Sequence, residues 1–261
     1  MRLRWLLCSV GLAVACGGGA RSNPAVTPPS ASPQRDIAST GAIDSLWRNA
    51  EDAFRHGKWS EVSKLLERAL LEFAPGDSRI ARAHYYLGEA RFAQGSQLEA
   101  AREFRKASDD TPNDPIAPEA LLRVGDVYAD LWRRPELDPT YGQTALATYQ
   151  ELLNRYPNGS AAERAQLRIN ELNERFAYKS YKAAMYYFRL KAYDSAVLYL
   201  KDLVATYPKS AVAPDALVRL VQAYKTLGYR EDVQETCGYI KRFHPKAPGA
   251  AAVCPTDSSG A

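Results

Sequence analysis

The sequence predicts an all-α solenoid of five helix pairs with one elongated central helix, over residues 41–246. Three observations predict it. From Ile43 onward apolar residues recur at helical spacing, and no alternating β-branched run offers a strand. The words "LNRYPNGSAAERA" and "VATYPKSAVAPDA" stand fifty-one residues apart, with an echo in "KRFHPKAPGAA", so one turn is spelled repeatedly. Small and medium residues also recur at a spacing of twelve, which defines an internal unit.

Residues 1–15 hold Arg2 and Arg4, then a short apolar run closed by small residues. That is the layout of a secretory signal, too short to span a membrane. Its removal takes two arginines and no acid from 34 basic and 30 acidic side chains. The near-neutral remainder argues against nucleic acid as a partner. "LAVAC" resembles the lipobox of bacterial lipoproteins, in which the cysteine, here Cys16, is acylated and becomes the mature N-terminus. Ala13 stands where that pattern prefers leucine, with Leu12 one place early, and an ordinary signal cleaved after "AVA" is the alternative. Residues 16–40, rich in Gly, Pro and Ser, read as a flexible tether with a reach of about 25–30 Å. Gly17, rather than aspartate, resembles the outer-membrane sorting rule.

In four stretches Ala50, Gly88, Ala184 and Val221 are followed after twelve residues by Val62, Ala100, Ala196 and Val233. Twelve more reach Ala74, Pro112, Pro208 and Pro245. This is the tetratricopeptide pattern: small positions where paired helices A and B approach closely, and proline where helix B stops. In the third repeat the gap from Gly125 to Ala145 is twenty, and the surplus sits in "LWRRPELDPTYGQ", which reads as an enlarged loop. Between Pro157 and Ala184 run twenty-seven residues without a breaker after Ala161, against thirteen in the equivalent stretch elsewhere. The excess lengthens one helix by about 21 Å. Residues 247–261 read as a disordered tail.

A lipobox, a proline-rich tether, five repeats, an enlarged third repeat and a long helix running into "YYFRLKAYDSAVLYLKDLVATYPKSAVAPDALVRLVQAYKTLG" together resemble the BamD family, lipoproteins of the outer-membrane β-barrel assembly machinery. The resemblance covers nearly all of residues 43–246. It implies a scaffold anchored by lipid on the periplasmic face of the outer membrane. Such a scaffold binds unfolded outer-membrane proteins and docks on the POTRA domains of a BamA-like barrel-forming subunit, beside other assembly lipoproteins. Another anchored repeat protein, serving cell-wall synthesis, is the alternative. Helix A positions that face the inner side of such arrays map to Trp47, Glu51 and Phe54, then Tyr85, Glu89 and Phe92. They form either a client groove or packing between neighbouring helices. The resemblance puts the partner dock on the last two repeats, where Arg219 leads a basic set with Lys201, Lys209, Lys225 and Arg230. A solvated face explains the same charges.

Enzyme chemistry finds no foothold. His56, His84 and His244 sit in no metal or nucleophile spacing, and "DDTPNDP" lacks the central Gly and terminal Glu of a calcium loop. No cofactor or metal is expected. With Cys8 in the signal and Cys16 acylated, Cys237 and Cys254 are the pair left in an oxidising compartment. They form either a disulfide, worth roughly 3 kcal/mol for a loop of this length, or a buried thiol and a free one.

Overall fold

The computed structural model describes residues 33–254, with side chains placed from residue 41. The signal, Cys16 and the tether as far as residue 32 lie outside them. Residues 41–261 separate from 1–40 as a compact unit, and the packing below is that of this unit. Ten helices follow in order: α1 Pro33–Arg55, α2 Trp59–Glu72, α3 Ile80–Ala93, α4 Gln97–Asp109, α5 Ala117–Leu131, α6 Thr140–Arg155, α7 Ser160–Arg189, α8 Tyr193–Thr206, α9 Ala213–Leu227 and α10 Arg230–Phe243. A short α11, Ala250–Val253, closes the described chain. Neighbours in sequence pack as neighbours in space, which is the one-dimensional construction of a repeat array. The five pairs are α1/α2, α3/α4, α5/α6, the second half of α7 with α8, and α9/α10.

Each pair is held by one complementary contact between its helices. Alanine at Gly88 would set its Cβ 2.7 Å from the Phe104 ring, and at Gly125 2.3 Å from Tyr149. Where the facing residue is smaller, as at Leu66, Leu200 and Cys237, the helix A position is filled by Ala50, Ala184 and Val221, all fully buried. Large side chains meet bare backbone and smaller ones meet Ala or Val, a size matching that lets each pair close without a void or a clash. Helix B ends in four pairs at Asp109, Arg155, Thr206 and Phe243, two or three residues ahead of Pro112, Pro157, Pro208 and Pro245.

The turn from helix A to helix B needs a left-handed residue two places before helix B. Gly57, Gly95 and Gly228 supply it at φ of 65°, 80° and 81°, and Lys191 takes the same role at φ 60°. Glycine adopts this region without strain and lysine does not.

The enlarged third repeat is pinned rather than free. Trp132, 2% exposed, lies over the bare backbone of Gly142, where a Cβ would come within 2.3 Å of the indole. It also meets Phe176 of α7 at 4.5 Å between ring centres. Lys179 Nζ donates to the carbonyls of Glu136 at 3.2 Å and Leu137 at 2.7 Å, tying the loop to α7. Helix α7 runs for 30 residues. Its first half packs on α5 and α6, its second half on α8 and α9.

Two boundaries differ from the sequence reading. Residues 33–40, expected as the end of the tether, are the opening turns of α1. Residues 247–254, expected within a disordered tail, instead turn back over the last pair. Val253 is 8% exposed within the cluster of Val218, Leu217 and Ile240, and a disulfide joins Cys254 to Cys237 in α10. An apolar residue and a crosslink override a composition of Gly, Ala and Pro.

Candidate functional site

In the first two repeats Trp47, Glu51 and Phe54 recur on α1, and Tyr85, Glu89 and Phe92 on α3. They do not form one aromatic surface. Trp47 is 8% exposed, stacked on Tyr86 at 6.0 Å and edge-on to Phe73 at 6.2 Å. Phe54 stacks on the other part of the same ring, 4.0 Å from Tyr86. Tyr85 and Phe92 belong to a second cluster between repeats two and three: Tyr85 meets Phe104 at 5.5 Å, and the Arg123 guanidinium lies 5.0 Å from the Phe92 ring centre. The expectation that Trp47 is a contact residue is therefore corrected, because burial against α3 leaves little of the indole to meet anything else. Phe54, Tyr85 and Phe92 are half-buried. Of the acids, Glu89 is forked onto Arg123 at 2.6 and 2.9 Å, and Glu51 stands 4.0 Å from Arg82. Burial, then the Glu89 charge, pushes the Tyr85 phenol well above its ordinary pKa, so it stays a neutral donor.

The basic set expected near the end of the array is spread over more than one surface. Lys201 of α8 lines a groove of about 510 Å³ with Leu217, Leu220, Tyr224, Asp232 and Glu235. Lys209, in the following turn, lines another of about 450 Å³ with Asn170, Asn173 and Glu174. Arg219 is half-buried, donating to Gln222 Oε1 at 3.0 Å, with its guanidinium 5.8 Å from the Phe188 ring. Lys225 and Arg230 are exposed near the α9/α10 turn. Side chains on different helix faces reach different concavities, and sequence distance alone conceals this.

Repeat four carries a surface feature that charge counting missed. Tyr186, 53% exposed, and Tyr199, 36% exposed, are joined through Tyr187: the ring centres are 5.4 Å apart in the first contact and 5.3 Å, stacked, in the second. The signal was present in "MYYF" and "LYL", words that periodicity alone assigns to packing.

Between α5 and α7 lies a groove of about 560 Å³ walled by paired charges. In its lining Arg168 bridges to Asp126 at 3.3 Å, and outside the lining Arg164 of α7 bridges to Glu119 of α5. The Tyr149 hydroxyl donates to Asp126 Oδ1 at 2.7 Å. His84 lies 2.7 Å from Glu103, a pair that ties α3 to α4. Among the described residues no cluster of His, Cys, Asp and Glu has the makings of a metal site, and no helix is long and apolar enough to cross a membrane.

Comparison with known proteins bears on the family of the chain. Residues 41–238 match the family described as YfiO, outer membrane lipoprotein. The chain is 24% identical over 192 residues to the outer membrane protein assembly factor BamD of Caulobacter vibrioides, covering 74% of this chain and 63% of that protein. It is 34% identical over 103 residues to BamD of Vibrio cholerae, covering 40% and 43%, and 24% identical over 228 residues to BamD of Neisseria gonorrhoeae, covering 81% and 83%. It thus spans less than two thirds of the first two relatives and most of the third. Among solved structures it is similar to the P58(IPK) TPR domain, with 15% identity, a TM-score of 0.46 and coverage of 83% of this chain and 55% of that one.

Proposed function

The chain belongs to the YfiO family of outer membrane lipoproteins, and from that premise we propose that it works by binding, as a scaffold in the assembly of outer-membrane proteins. The observation that carries the reading is that the family match, residues 41–238, coincides with the repeat array itself. What resembles the assembly factors is therefore the whole working surface rather than one generic repeat. Acylated Cys16 would hold the array at the periplasmic face of the membrane, since a diacylated N-terminus anchors stably where one chain does not.

Two contacts follow for such a scaffold. Unfolded barrel proteins would meet the first two repeats, where Phe54, Tyr85 and Phe92 keep part of each ring exposed for an extended, aromatic-rich segment. The POTRA domains of a BamA-like subunit would dock on repeats four and five. Support there comes from the Tyr186, Tyr187 and Tyr199 run and from Arg219, whose guanidinium retains donors beyond the one given to Gln222. The test is co-purification from detergent-extracted membranes. Recovery of a POTRA-bearing barrel protein supports the scaffold, and recovery of cell-wall synthases in its place supports the other reading. Arg219→Glu and Tyr199→Ser, each with unchanged helicity, should weaken that recovery, and full recovery by both moves the dock elsewhere.

A further inference from the structure

Across the groove between α5 and α7 charges are matched in register until one position. On the α7 face Arg164 meets Glu119, and one turn on, Arg168 meets Asp126 at 3.3 Å and Glu171 at 2.9 Å. On the α5 side Arg123 is forked onto Glu89, and Arg133 stands 3.7 Å from Asp130. Two turns beyond Arg168, on the same face, Arg175 meets no acid among the described residues. Its hydrogen bond goes to the Ala129 carbonyl at 3.3 Å, and its guanidinium lies 4.5 Å from the centre of a Trp132 ring. That leaves most of its five N–H donors unused beside the groove it lines.

The insertion in the third repeat builds this arrangement. Gly142 lets Trp132 settle onto α6, and the indole becomes the shelf on which the guanidinium rests. Burial lowers the pKa of Arg175 from its ordinary value, the mark of a cation that has lost water without gaining a counter-charge. Four guanidinium groups, of Arg123, Arg133, Arg168 and Arg175, face the carboxylates of Asp126, Asp130 and Glu171 in the same lining. With Glu89 already holding Arg123, the charges of the groove balance overall, and the want of an acid is local to Arg175, which suits a single carboxylate, whereas a phosphate dianion would crowd the three lining acids. Leu172 and Tyr149, also in the lining, offer an apolar floor for a neighbouring side chain, and the paired polar groups at the walls suit a peptide backbone.

We propose that Arg175 anchors a carboxylate-binding site, which takes an acidic group presented on an extended peptide segment of a partner protein. The site adjoins the first contact region assigned above, with which it shares Arg123, while Arg175 itself belongs to neither region. A guanidinium forked onto a carboxylate is the strong geometry here, and lysine cannot reproduce the fork.

The experiment is fluorescence anisotropy with the mature chain and a labelled Gly/Ser/Tyr hexapeptide in three forms: free acid at its end, amidated with one internal aspartate, and amidated with no carboxylate. The two carboxylate forms are expected to bind about tenfold tighter than the neutral one, the worth of a charge-assisted pair. Preference for the end or for the aspartate then names the source of the acid. Arg175→Gln should bring all three to the neutral level, and Arg175→Lys should keep a reduced preference. Equal binding of the three peptides by the unaltered chain overturns the proposal without recourse to any variant. So does a full carboxylate preference in Arg175→Gln.

Discussion

Alanine at Gly125 should destabilise the protein even though alanine is the better helix former. The new Cβ would stand 2.3, 2.6 and 2.8 Å from Cε1, Cδ1 and Cζ of Tyr149. That ring cannot swing aside: it is fully buried, and its hydroxyl is held by Asp126 at 2.7 Å. Helices α5 and α6 must therefore part by about an ångström to reach ordinary contact. Overpacking costs about 1–3 kcal/mol, and three atoms of a fixed ring place this case near the top of that range. Higher helix propensity returns about 1 kcal/mol, so the net loss is about 2 kcal/mol. For a domain of this size that lowers the melting temperature by about 4–8 °C, read by circular dichroism at 222 nm. The partner substitution supplies the control. Tyr149→Leu should lose stability alone through a cavity, whereas Gly125→Ala with Tyr149→Leu recreates the Ala50/Leu66 and Ala184/Leu200 pairs and should recover the overpacking loss, a coupling of about 2 kcal/mol. A raised melting temperature in Gly125→Ala, or strict additivity in the double variant, refutes the size-matching argument.

The Cys237 and Cys254 bond closes a separation of 17 residues, worth about 3 kcal/mol. Reductant should lower the melting temperature of the unaltered chain and leave Cys254→Ser unmoved, and a wild-type curve indifferent to reductant sinks the claim. Lys191→Gly should stabilise by roughly 0.5–1 kcal/mol, since relief of left-handed strain exceeds the added freedom of the unfolded chain; urea titration that finds a loss would show Lys191 to be unstrained. Burial opposes ionisation of Glu103, yet the hydrogen bonds from His84 and Lys106 win and hold its carboxyl below the ordinary 4.5. The depressed pKa means that stability is present above that value and is lost as pH falls through the folded one. Glu103→Gln should therefore flatten the acid limb of a stability profile, and an unchanged slope below pH 4.5 would remove the pair from the account.

Much of the array was legible because its constraints are local and repeated. Ala50, Gly88, Ala184 and Val221 report close helix approach by size alone, and a proline after helix B reports an end that no tertiary contact can move. The long helix was legible from missing breakers, although they could not show where it stops: Lys191 makes that turn with none of the glycine its counterparts use. Which face of a helix an aromatic serves stayed hidden. Trp47 and Tyr199 look alike in a string, and only the position of α3 buries the first while the second, stacked on Tyr187 alone, keeps a third of its surface exposed. The placing of the charges stayed hidden for the same reason, since Lys201 and Lys209 are eight residues apart yet line separate grooves. Arg175 gave no signal of its own, because an unmatched charge is defined by what stands opposite. The start of the tail misled because a single valine and one sulfur bond outweigh the six Ala, Gly and Pro residues of 247–252.

Helix α7 also has a mechanical consequence. Thirty residues in one unbroken helix make a rod of about 45 Å, and both of its ends are built into packed pairs. A rod held this way behaves as a lever with no slack: tilting it by about 5° at its Ala161 end carries its Arg189 end through about 4 Å. Repeats joined by ordinary turns would absorb such a displacement at each joint. Here the shared helix would make the third and fourth pairs move as one body, so that a force applied at either arrives at the other as a rotation.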